Sequence, residues 1–556
     1  MKIKKLHLLL LAIASGILLS AAWPARGFPG FLFVGFVPLL FLEDTLFTNR
    51  EREIKFSALL YSWPGFIIWN LLTTWWIINS TGVGAILAII LNSLFMSIVF
   101  QAFHWSRKKL QHPIAGYAAL ITYWTAFEYL HLNWDLNWPW LNLGNGFASY
   151  YKWVQWYEYT GTFGGTLWIL VGNILFFELL KKFTSKHSKV KAEAQKPFIL
   201  SSKFNALCSL CVLSLLWVFL PILLSLWRYT TYKEEKHPVN FVVVQPNLDP
   251  YTEQYSIAPS VVVGHIMQLA RPKLDSATNF LITPESAIQE QMWENDLSSF
   301  NSIRLLYSVI NQYPDLNILV GGSTFYQFPP GEPLPRTARK FTDSQNHYNA
   351  YNAAIMLNAR DSLQLYHKSK LTPGVEILPS FFGFNWLEKF AIDLGGTVGS
   401  LGTDSVRKVY STVNTVKVSP AICYESIFGE FFGQFVKNGA QIMIIITNDG
   451  WWGNTPGHRQ HFSFAHLRAI ETRRGIARSA NTGISGFIDQ RGDAHEQTRY
   501  WEPAVIKGTL NANQKITFYV QHGDYLARLF SWLGGALFLV SLIISLQHRF
   551  RKIKHE

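Results

Sequence analysis

Cysteine is scarce in this chain, which has only Cys208, Cys211 and Cys423 in 556 residues. Three cysteines cannot build a disulfide framework. Cys208 and Cys211 form a CxxC inside the apolar run FNALCSLCVLSLLWVFL, but no second pair of ligands accompanies them. We therefore interpret them as packing or lipid-facing residues rather than as a metal or redox site. Cys423 differs, because it ends a short apolar stretch in SPAICYESIFGE and is followed at once by Tyr424 and Glu425.

The sequence also lacks a nucleic-acid-binding motif, although its formal net charge is +13 at pH 7. Apolar residues are abundant: 49% of the chain is hydrophobic, with 41 Phe, 23 Tyr and 21 Trp. They concentrate in residues 1–228 and 526–547, whereas residues 236–515 show the mixture of charges, turns and short apolar stretches of a globular domain. This composition favours a multidomain membrane protein and argues against a nucleic-acid partner.

Eight apolar stretches are candidate membrane spans, since a bilayer core needs about 20 apolar residues in a helix. The first follows MKIKK and could instead be a signal peptide, but further spans follow at once, which favours an uncleaved helix. The second is short for a span. The eight stretches cover residues 6–23, 28–42, 56–78, 82–104, 114–131, 163–181, 204–227 and 526–547.

Basic residues occupy every second connection between these spans. They lie in residues 2–5, 50–55 and 107–109, in KKFTSKHSKVKAEAQK after the sixth span, and in the terminal HRFRKIK. Because basic loops stay on the cytoplasmic side, both termini are predicted to be cytoplasmic and the globular domain to lie on the opposite side. The predicted domains are residues 1–228 with seven helices, 229–520 with the globular domain, and 521–556 with the last helix and a basic tail.

One loop on that opposite side, residues 131–165, is rich in Trp and Tyr and long for a connector. An aromatic belt at the membrane surface explains such a composition. The alternative is a floor that brings a lipid to an active site.

The globular region contains six apolar stretches that read as short buried strands, each followed by a turn or a polar residue. Helical stretches near residues 256–272, 298–312 and 458–475 alternate with several of them. This alternation predicts a layered α/β domain whose site lies at the strand ends. The predicted strands lie within residues 239–250, 279–288, 317–324, 352–358, 417–426 and 441–453.

Three residues at or near these strand ends form a chemically coherent set: Glu285 in TPES, Lys368 in YHKSKL and Cys423 in AICYE. A thiol needs a base to become a nucleophilic thiolate, and a carboxylate in a partly desolvated pocket can be that base. An ammonium can stabilise the oxyanion of a tetrahedral intermediate. Lys370 lies two residues beyond Lys368 on the same face of an extended segment, so spacing alone does not choose between the two lysines.

Several longer motifs surround these residues in a fixed order: FPGFLFVGFVPLL, PWLNLGN, VVVQPNLDPYTEQY, YHKSKLTPGVEILP, ICYESIFG, TNDGWWGNTPG and HLRAIETRRGIARSANTGISGFID. The Glu-Lys-Cys set resembles that of the nitrilase, or carbon–nitrogen hydrolase, superfamily. Over nearly its full length the chain resembles the membrane-embedded apolipoprotein N-acyltransferases. This resemblance implies a bundle of about eight transmembrane helices in the bacterial inner membrane and a nitrilase-like αββα sandwich domain that faces the periplasm.

The resemblance also implies roles for individual residues. Cys423 would be the nucleophile, Glu285 the general base, Lys368 the group that holds the oxyanion, and Glu376 a second essential carboxylate. Tyr424 and Glu425 would also be functional positions. The acyl donor would be a phospholipid, commonly phosphatidylethanolamine, and the acceptor the S-diacylglyceryl cysteine that begins a processed apolipoprotein. No cofactor or metal is called for, and we expect a monomer.

The sequence departs from the family pattern in two places. The segment after the catalytic lysine is LTPGVE, where Gly374 and Val375 replace a usual Phe-Gly, although the spacing from lysine to glutamate is kept. The Trp that often follows the first strand is absent, and Tyr251 is expected to take its place. The apolar stretches ILPSFFGFNWLEKF (377–390) and GWWGN, which contains Trp451, suit either mobile lids or core packing.

Other polar residues of the region have simpler interpretations. Asn448 and Asp449 are expected to hold the turn beneath the pocket, and Arg468 and Glu471 to pair at i and i+3 on one helix. The spacing of three histidines matches no metal site, and these are His458, His461 and His466.

Two other functions remain open. A membrane-tethered amidase of the same superfamily would share the cysteine set, but it needs only water as acceptor and has no reason to keep eight spans. A non-catalytic lipoprotein-binding or transport protein would not need Glu285, Lys368 and Cys423 together. It would also carry charged groups within its spans, where Glu128 and Glu178, both toward span ends, come nearest.

Overall fold

The structure is a computed structural model, and it describes residues 5–50, 54–189, 202–361, 363–377 and 400–555. The chain divides into two compact units that are not continuous in sequence. The first unit comprises Met1–Trp75, Ala85–Thr230 and Asp524–Glu556, and the second comprises Trp76–Gly84 and Thr231–Gly523.

Eight helices within the described residues account for most of the first unit, and each coincides with one of the eight predicted spans. Five helical segments of the described chain are long and apolar enough to cross a membrane: Pro29–Thr48, Gly82–Leu110, Tyr157–Thr184, Leu207–Thr231 and Tyr525–Arg551. The eight helices are α1 Lys5–Ala21, α2 Val37–Thr48, α3 Ser57–Thr74, α4 Gly82–Leu110, α5 Pro113–Leu132, α6 Tyr157–Lys189, α7 Ser202–Thr231 and α13 Tyr525–His555.

Two carboxylates of this helical unit, Glu128 and Glu178, are hydrogen-bonded to neighbouring protein groups. The carboxylate of Glu128 is buried and accepts hydrogen bonds from the Trp124 side chain, the Leu143 backbone N–H and the Thr166 hydroxyl, at 2.7–3.1 Å. Glu178 accepts a short hydrogen bond from the Tyr117 hydroxyl. Because a buried polar group without a partner is costly, these bonds explain how both carboxylates are accommodated among apolar helices.

The second unit contains two β-sheets in its described part. In the first sheet the strands run in the order β13-β1-β2-β4-β6-β5, with β3 beside β4 and β7 beside β6. Strands β1, β2 and β4 are parallel to one another, whereas β6 is antiparallel to β4. The strands are β1 Pro238–Gln245, β2 Phe280–Ile282, β3 Ile288–Trp293, β4 Asn317–Phe328, β5 Arg339–Lys340, β6 His347–Leu357, β7 Gln364–His367 and β13 Ala504–Asn511.

The second sheet has the strand order β12-β11-β10-β9-β8, and β8, β9 and β10 are parallel. Its strands are β8 Val418–Ile422, β9 Ile442–Thr447, β10 Ile476–Ala480, β11 Gly486–Ile488 and β12 Ala494–His495. The helices of this unit are α8 Pro259–Ala270, α9 Asn301–Ile310, α10 Gly429–Lys437, α11 Pro456–Thr472 and α12 Phe518–His522.

The side chains of β1 alternate between its two faces, and their contacts show how the layers of this unit form. Val242 and Val244 lie in one core with apolar residues of α8 and α9. Phe241 points the other way, and its ring lies 6.4 Å from that of Phe487 in the second sheet. The Ser479 hydroxyl of β10 also donates to the Val244 carbonyl at 2.8 Å. Since successive side chains of a strand point to opposite faces, β1 packs against helices on one side and against the other sheet on the other.

The predicted fold class, a helical bundle with an αββα sandwich domain, is confirmed by these elements. The six predicted strands correspond to β1, β2, β4, β6, β8 and β9, and the three predicted helices to α8, α9 and α11. Strands β3, β5, β7 and β10–β13 were not predicted. Of the stretch 377–390, which suits either a mobile lid or core packing, residues 378–390 lie outside the described residues.

Candidate active site

Lys368 lies between two carboxylates at the centre of the candidate site. Its Nζ is 3.0 Å from Oε1 of Glu285 and 2.8 Å from Oε1 of Glu376, and all three side chains are buried. Lys368 follows β7, and Glu285 lies beyond the end of β2. The strand ends therefore bring together residues that are 83 and 8 positions apart in sequence.

Neutral groups orient the two carboxylates. The Asn352 side-chain amide of β6 donates to both, at 2.8 Å to Glu285 and 3.1 Å to Glu376. The backbone N–H of Asn448 donates to Oε2 of Glu285 at 3.1 Å, and the backbone N–H of Thr372 to Oε2 of Glu376 at 2.9 Å. Both oxygens of each carboxylate thus have partners, which fixes their orientation around the ammonium.

The two carboxylates keep Lys368 charged. Burial by itself lowers the pKa of this lysine, but Glu285 and Glu376 outweigh burial and raise the pKa well above its ordinary value. For Glu376, burial raises the pKa, and the Lys368 ammonium together with its hydrogen bonds brings it below the ordinary value. At neutral pH the site therefore holds an ammonium beside an ionised Glu376.

Cys423 comes directly after β8 and adopts a left-handed backbone conformation, with φ of +51°. Such a conformation is strained for a residue with a side chain and persists only where the surroundings hold it. Burial and the charge of Glu285 raise the pKa of the Cys423 thiol, whereas Lys368 and a hydrogen bond with Thr447 act in the opposite direction. The net effect is a raised pKa, so the resting thiol keeps its proton and needs a base.

Glu425, next to the nucleophile candidate, is engaged with the backbone. Its Oε1 accepts hydrogen bonds from the N–H of Ser369 at 2.6 Å and of Lys370 at 3.3 Å, and from the Tyr366 hydroxyl at 2.7 Å. Its Oε2 accepts from the Ile422 N–H at 2.7 Å. This carboxylate therefore ties the segment that carries Lys368 to the end of β8. Its neighbour Tyr424 is buried, with its ring 5.1 Å from that of Phe428.

Beneath Cys423 lies a fully buried network that the sequence did not reveal. His461 of α11 has Nδ1 2.9 Å from Oδ1 of Asp449 and Nε2 3.1 Å from the Cys423 carbonyl oxygen. Arg478 donates to Oδ2 of Asp449 at 2.7 Å, and the Ser426 hydroxyl donates to the same Cys423 carbonyl at 2.7 Å. These bonds hold the strained backbone of Cys423. A histidine inside a helix that is buried on nearly every side carries no sequence signal for such a contact.

The other predicted polar residues have separate roles. His458 stacks on Tyr500 at 4.0 Å and His466 contacts the Gly492 carbonyl at 2.6 Å, so the three histidines contact different neighbours. Arg468 pairs with Glu471 at 2.8 Å, as predicted.

The stretch GWWGN is bonded to two other segments of the same unit. The Tyr251 hydroxyl lies 2.8 Å from the carbonyl oxygens of both Asn79 and Trp451, and its ring lies 5.1 Å from the Trp451 ring. The Asn79 amide donates to the Trp452 carbonyl at 2.8 Å, and the Ser80 hydroxyl to that of Trp451 at 3.3 Å. Tyr251, which follows β1, and Trp451, on the loop that begins with Asn448, therefore lie side by side.

An α/β sandwich with a Glu-Lys-Cys set at its strand ends defines a carbon–nitrogen hydrolase, and residues 333–515 match the model of that family, Carbon-nitrogen hydrolase. Residues 15–175 match a second model, Apolipoprotein N-acyltransferase N-terminal domain. These two matches and the relatives below show that the chain is similar to the apolipoprotein N-acyltransferases over nearly its whole length, and that it is an acyltransferase.

Relatives extend over nearly the whole chain. The Apolipoprotein N-acyltransferase of Chlorobaculum tepidum is 28% identical over 96% of both chains. That of Geobacter metallireducens is 24% identical over 98% of this chain and 96% of its own. That of Thermotoga maritima is 28% identical over 77% of this chain and 70% of its own. The resemblance stated from the motifs is therefore confirmed.

Proposed function

We propose that this protein N-acylates the N-terminal S-diacylglyceryl cysteine of apolipoproteins, taking the acyl chain from a phospholipid through a thioester on Cys423. The observation that carries the proposal is the lysine ammonium held by two carboxylates, with its charge acting on the half-buried thiol of Cys423, in a chain with apolar helices long enough to cross a membrane. In this proposal the helices lie in the bacterial inner membrane, the catalytic unit faces the periplasm and both termini are cytoplasmic.

In the first half-reaction the thiol proton of Cys423 passes to Glu285. The sulfur attacks the ester carbonyl of the phospholipid, and the oxyanion that forms is stabilised by the Lys368 ammonium. When the intermediate collapses, the C–O bond breaks and the lysophospholipid alkoxide takes the proton from Glu285. The products are an acyl thioester on Cys423 and a lysophospholipid.

In the second half-reaction the α-amino group of the acceptor cysteine attacks the thioester. Glu285 removes the amine proton, the C–S bond breaks, and the sulfur regains a proton. The products are the amide and the free thiol, so atoms and charges balance over the cycle. A ping-pong order lets one large lipid substrate leave before the other arrives.

The second carboxylate, Glu376, has a defined task in this scheme. When Glu285 accepts the thiol proton, it loses its charge and its attraction for the Lys368 ammonium. Glu376 remains ionised, because the ammonium and the Thr372 N–H hold its pKa below the ordinary value. It therefore keeps Lys368 charged and in place throughout the reaction. Asn448 and Glu425 support the site by orienting Glu285 and the Lys368 segment.

The proposal is tested by mass spectrometry of the full-length protein after incubation with phosphatidylethanolamine and no acceptor. We expect a mass gain of one fatty acyl chain, which neutral hydroxylamine removes because it cleaves thioesters. A peptide with a free N-terminal S-diacylglyceryl cysteine should discharge the adduct, and its N-acetylated form should not.

The matched controls are the other two cysteines. Cys423→Ala should abolish the adduct, whereas Cys208→Ala and Cys211→Ala should leave it unchanged. An adduct that persists in Cys423→Ala would rule out the proposed nucleophile.

A membrane-tethered amidase remains the alternative, since the Glu-Lys-Cys set serves hydrolysis as well as transfer. The acceptor decides between them. An amidase would pass the acyl group to water at the same rate with and without the lipopeptide, whereas the proposed transferase would release it mainly to the lipopeptide amine.

A further inference from the structure

His367, the residue before Lys368, has both ring nitrogens directed at carboxylates. Its Nε2 is 2.7 Å from Oε1 of Glu294, and its Nδ1 is 3.2 Å from Oδ1 of Asp404. An ionised carboxylate only accepts hydrogen bonds, so both ring nitrogens must donate. A neutral imidazole has one N–H and could serve only one of them. The geometry therefore calls for the imidazolium form.

The charges around His367 agree with that form. The Thr324 hydroxyl donates to the same Glu294 oxygen at 2.6 Å, which leaves that oxygen an acceptor toward His367. Lys408 pairs with Asp404 at 2.8 Å. The Tyr351 ring stacks on the imidazole at 3.9 Å between centroids, and the Arg407 guanidinium donates to the Asp404 backbone carbonyl. With His367 protonated, the charges of His367, Lys408, Glu294 and Asp404 sum to zero.

Asp404 holds the chain on both sides of Lys368. The backbone N–H of His367 donates to Oδ2 of Asp404 at 2.9 Å, and the Ser369 hydroxyl donates to the Asp404 carbonyl at 2.7 Å. On the C-terminal side, Glu425 accepts the N–H groups of Ser369 and Lys370. The peptide that carries Lys368 is thus fixed by Asp404 and Glu425, and His367 is one of the two cations, with Lys408, that bind Asp404.

We propose that His367 is a positioning residue whose imidazolium, held between Glu294 and Asp404, fixes the backbone from which Lys368 reaches the reacting groups. This inference rests on the proposed function of Lys368. It predicts that acylation of Cys423 depends on the protonated form of His367, in addition to Cys423, Glu285 and Lys368. His367 should lose this proton at alkaline pH.

The direction of the pH dependence follows from the surroundings of His367. Burial lowers its pKa, but the hydrogen bonds and charges of Asp404 and Glu294 outweigh burial and raise it above the ordinary value. The pKa of a histidine side chain in an unfolded chain is about 6.5. The stabilisation is therefore complete below about pH 6.5 and is lost as the pH rises through the raised folded value. Lys368 stays charged over this range, because its own pKa is well above its ordinary value.

The experiment measures the rate of Cys423 acylation by phosphatidylethanolamine in mixed micelles between pH 6 and 10, with full-length protein and no acceptor. The wild type should show an alkaline decline. In Glu294→Gln the amide oxygen can still accept a hydrogen bond from Nε2 of His367, but the negative charge is lost. The pH at which the acylation rate declines should therefore fall by about one unit or more. Its rate at pH 6 should stay within about twofold of the wild type.

His367→Gln should lower the rate about tenfold or more at pH 6, since small displacements of a catalytic group are costly, and should abolish the decline. The control is His347→Gln, at the start of β6, which should leave the profile unchanged. If His367 had a purely structural role, His367→Gln would still lower the acylation rate. The rate of Glu294→Gln would then decline at the same pH as that of the wild type. That result would overturn the inference.

A second measurement does not require catalysis. The unfolding temperature of the wild type should fall over the same alkaline range, and in Glu294→Gln it should fall at a lower pH. If the wild type forms no adduct at all, the proposed function fails, while the unfolding profiles still report on His367. Unfolding profiles with the same midpoint in both proteins would show that His367 does not titrate between these carboxylates.

Discussion

Lys368 and Lys370 are two residues apart, yet their ammonium groups have different surroundings. Lys368 Nζ contacts Glu285 and Glu376, whereas Lys370 Nζ lies 4.9 Å above the centre of the Phe428 ring. Burial and the positive charge of Arg407 lower the pKa of Lys370. Of the two lysines, only Lys368 lies between Glu285 and Glu376 and acts on the pKa of the Cys423 thiol, which favours it as the group that holds the oxyanion.

We expect Lys368→Ala to lower the rate of Cys423 acylation at least about a hundredfold, because a donor to an oxyanion is worth about 2.7–4 kcal/mol. Lys370→Ala should change the rate by less than about threefold, since it removes a contact with a ring outside the reacting groups. Single-turnover acylation, followed by mass spectrometry on folded protein, measures both. The opposite ranking would mean that the two lysines have been assigned the wrong roles.

At this scale the sequence predicted which residues carry chemistry but not how they are held. Glu285, Lys368 and Cys423 stood out because each is a reactive side chain at or near the end of an apolar strand. The contact of His461 with the Cys423 carbonyl and the two bonds of His367 could not be predicted, because their partners are 38, 73 and 37 residues away. Such distances are set by topology and not by local pattern.

Among the elements, strand β4 determines where Glu285 lies. A Cβ added to Gly321 would be 2.5 Å from the Pro284 carbonyl oxygen and 2.7 Å from the Glu285 Cα. Both are backbone atoms, which cannot rotate away as a side chain does. A Cβ on the next residue, Gly322, would instead meet the flexible end of Met292 at 2.8 Å. Alanine substitutions at these two glycines therefore form a matched pair. They distinguish displacement of the Glu285 backbone from crowding of a side chain.

We expect Gly321→Ala to lower the acylation rate at least about tenfold, because it pushes the Glu285 backbone away from Lys368 and a displacement of about 1 Å can cost a hundredfold. Gly322→Ala should lower it by less than about threefold. Both variants overpack the core, which should lower the free energy of unfolding by about 1–3 kcal/mol. Thermal unfolding measures this loss. Equal loss of activity in the two variants would contradict a role of β4 in placing Glu285.

The elements found from sequence are those with an uninterrupted apolar run. Strand β9, IMIIIT, is fully buried and reads as a strand directly. Strand β10, IARSA, is just as buried, but it contains Arg478, whose charge is neutralised by Asp449. A hydrophobic pattern does not include a buried ion pair with a distant partner, so β10 was missed. Strand β13 was missed because most of its residues are only half-buried.

On the scale of the whole molecule, the sequence predicted eight apolar helices and the structure has a helix at each position. Length and composition single out five segments of the described chain as able to cross a membrane. Helix α1 has only 17 residues, and α3 and α5 are long enough but are not apolar enough to be among the five. The orientation in the membrane remains a prediction from the basic loops.

Orientation can be tested with single cysteines in a variant without Cys208, Cys211 and Cys423. We expect a cysteine at Gln345, an exposed position of the catalytic unit, to react with an impermeant thiol reagent in intact spheroplasts. A cysteine at His112, exposed between α4 and α5, should react only after the membrane is broken. Labelling of His112→Cys alone in intact spheroplasts would reverse the predicted orientation.

The chain enters the catalytic unit directly from α7, which ends at Thr231, and leaves it for α13, which begins at Tyr525. Both helices expose most of their apolar side chains, as lipid-facing helices do. If the catalytic unit unfolds, its two ends therefore stay anchored in the bilayer. A chain with anchored ends has fewer conformations than a free one, so its unfolded state has less entropy. The membrane thus stabilises this unit as a covalent cross-link would, by restricting the denatured ensemble rather than by adding a contact to the folded one.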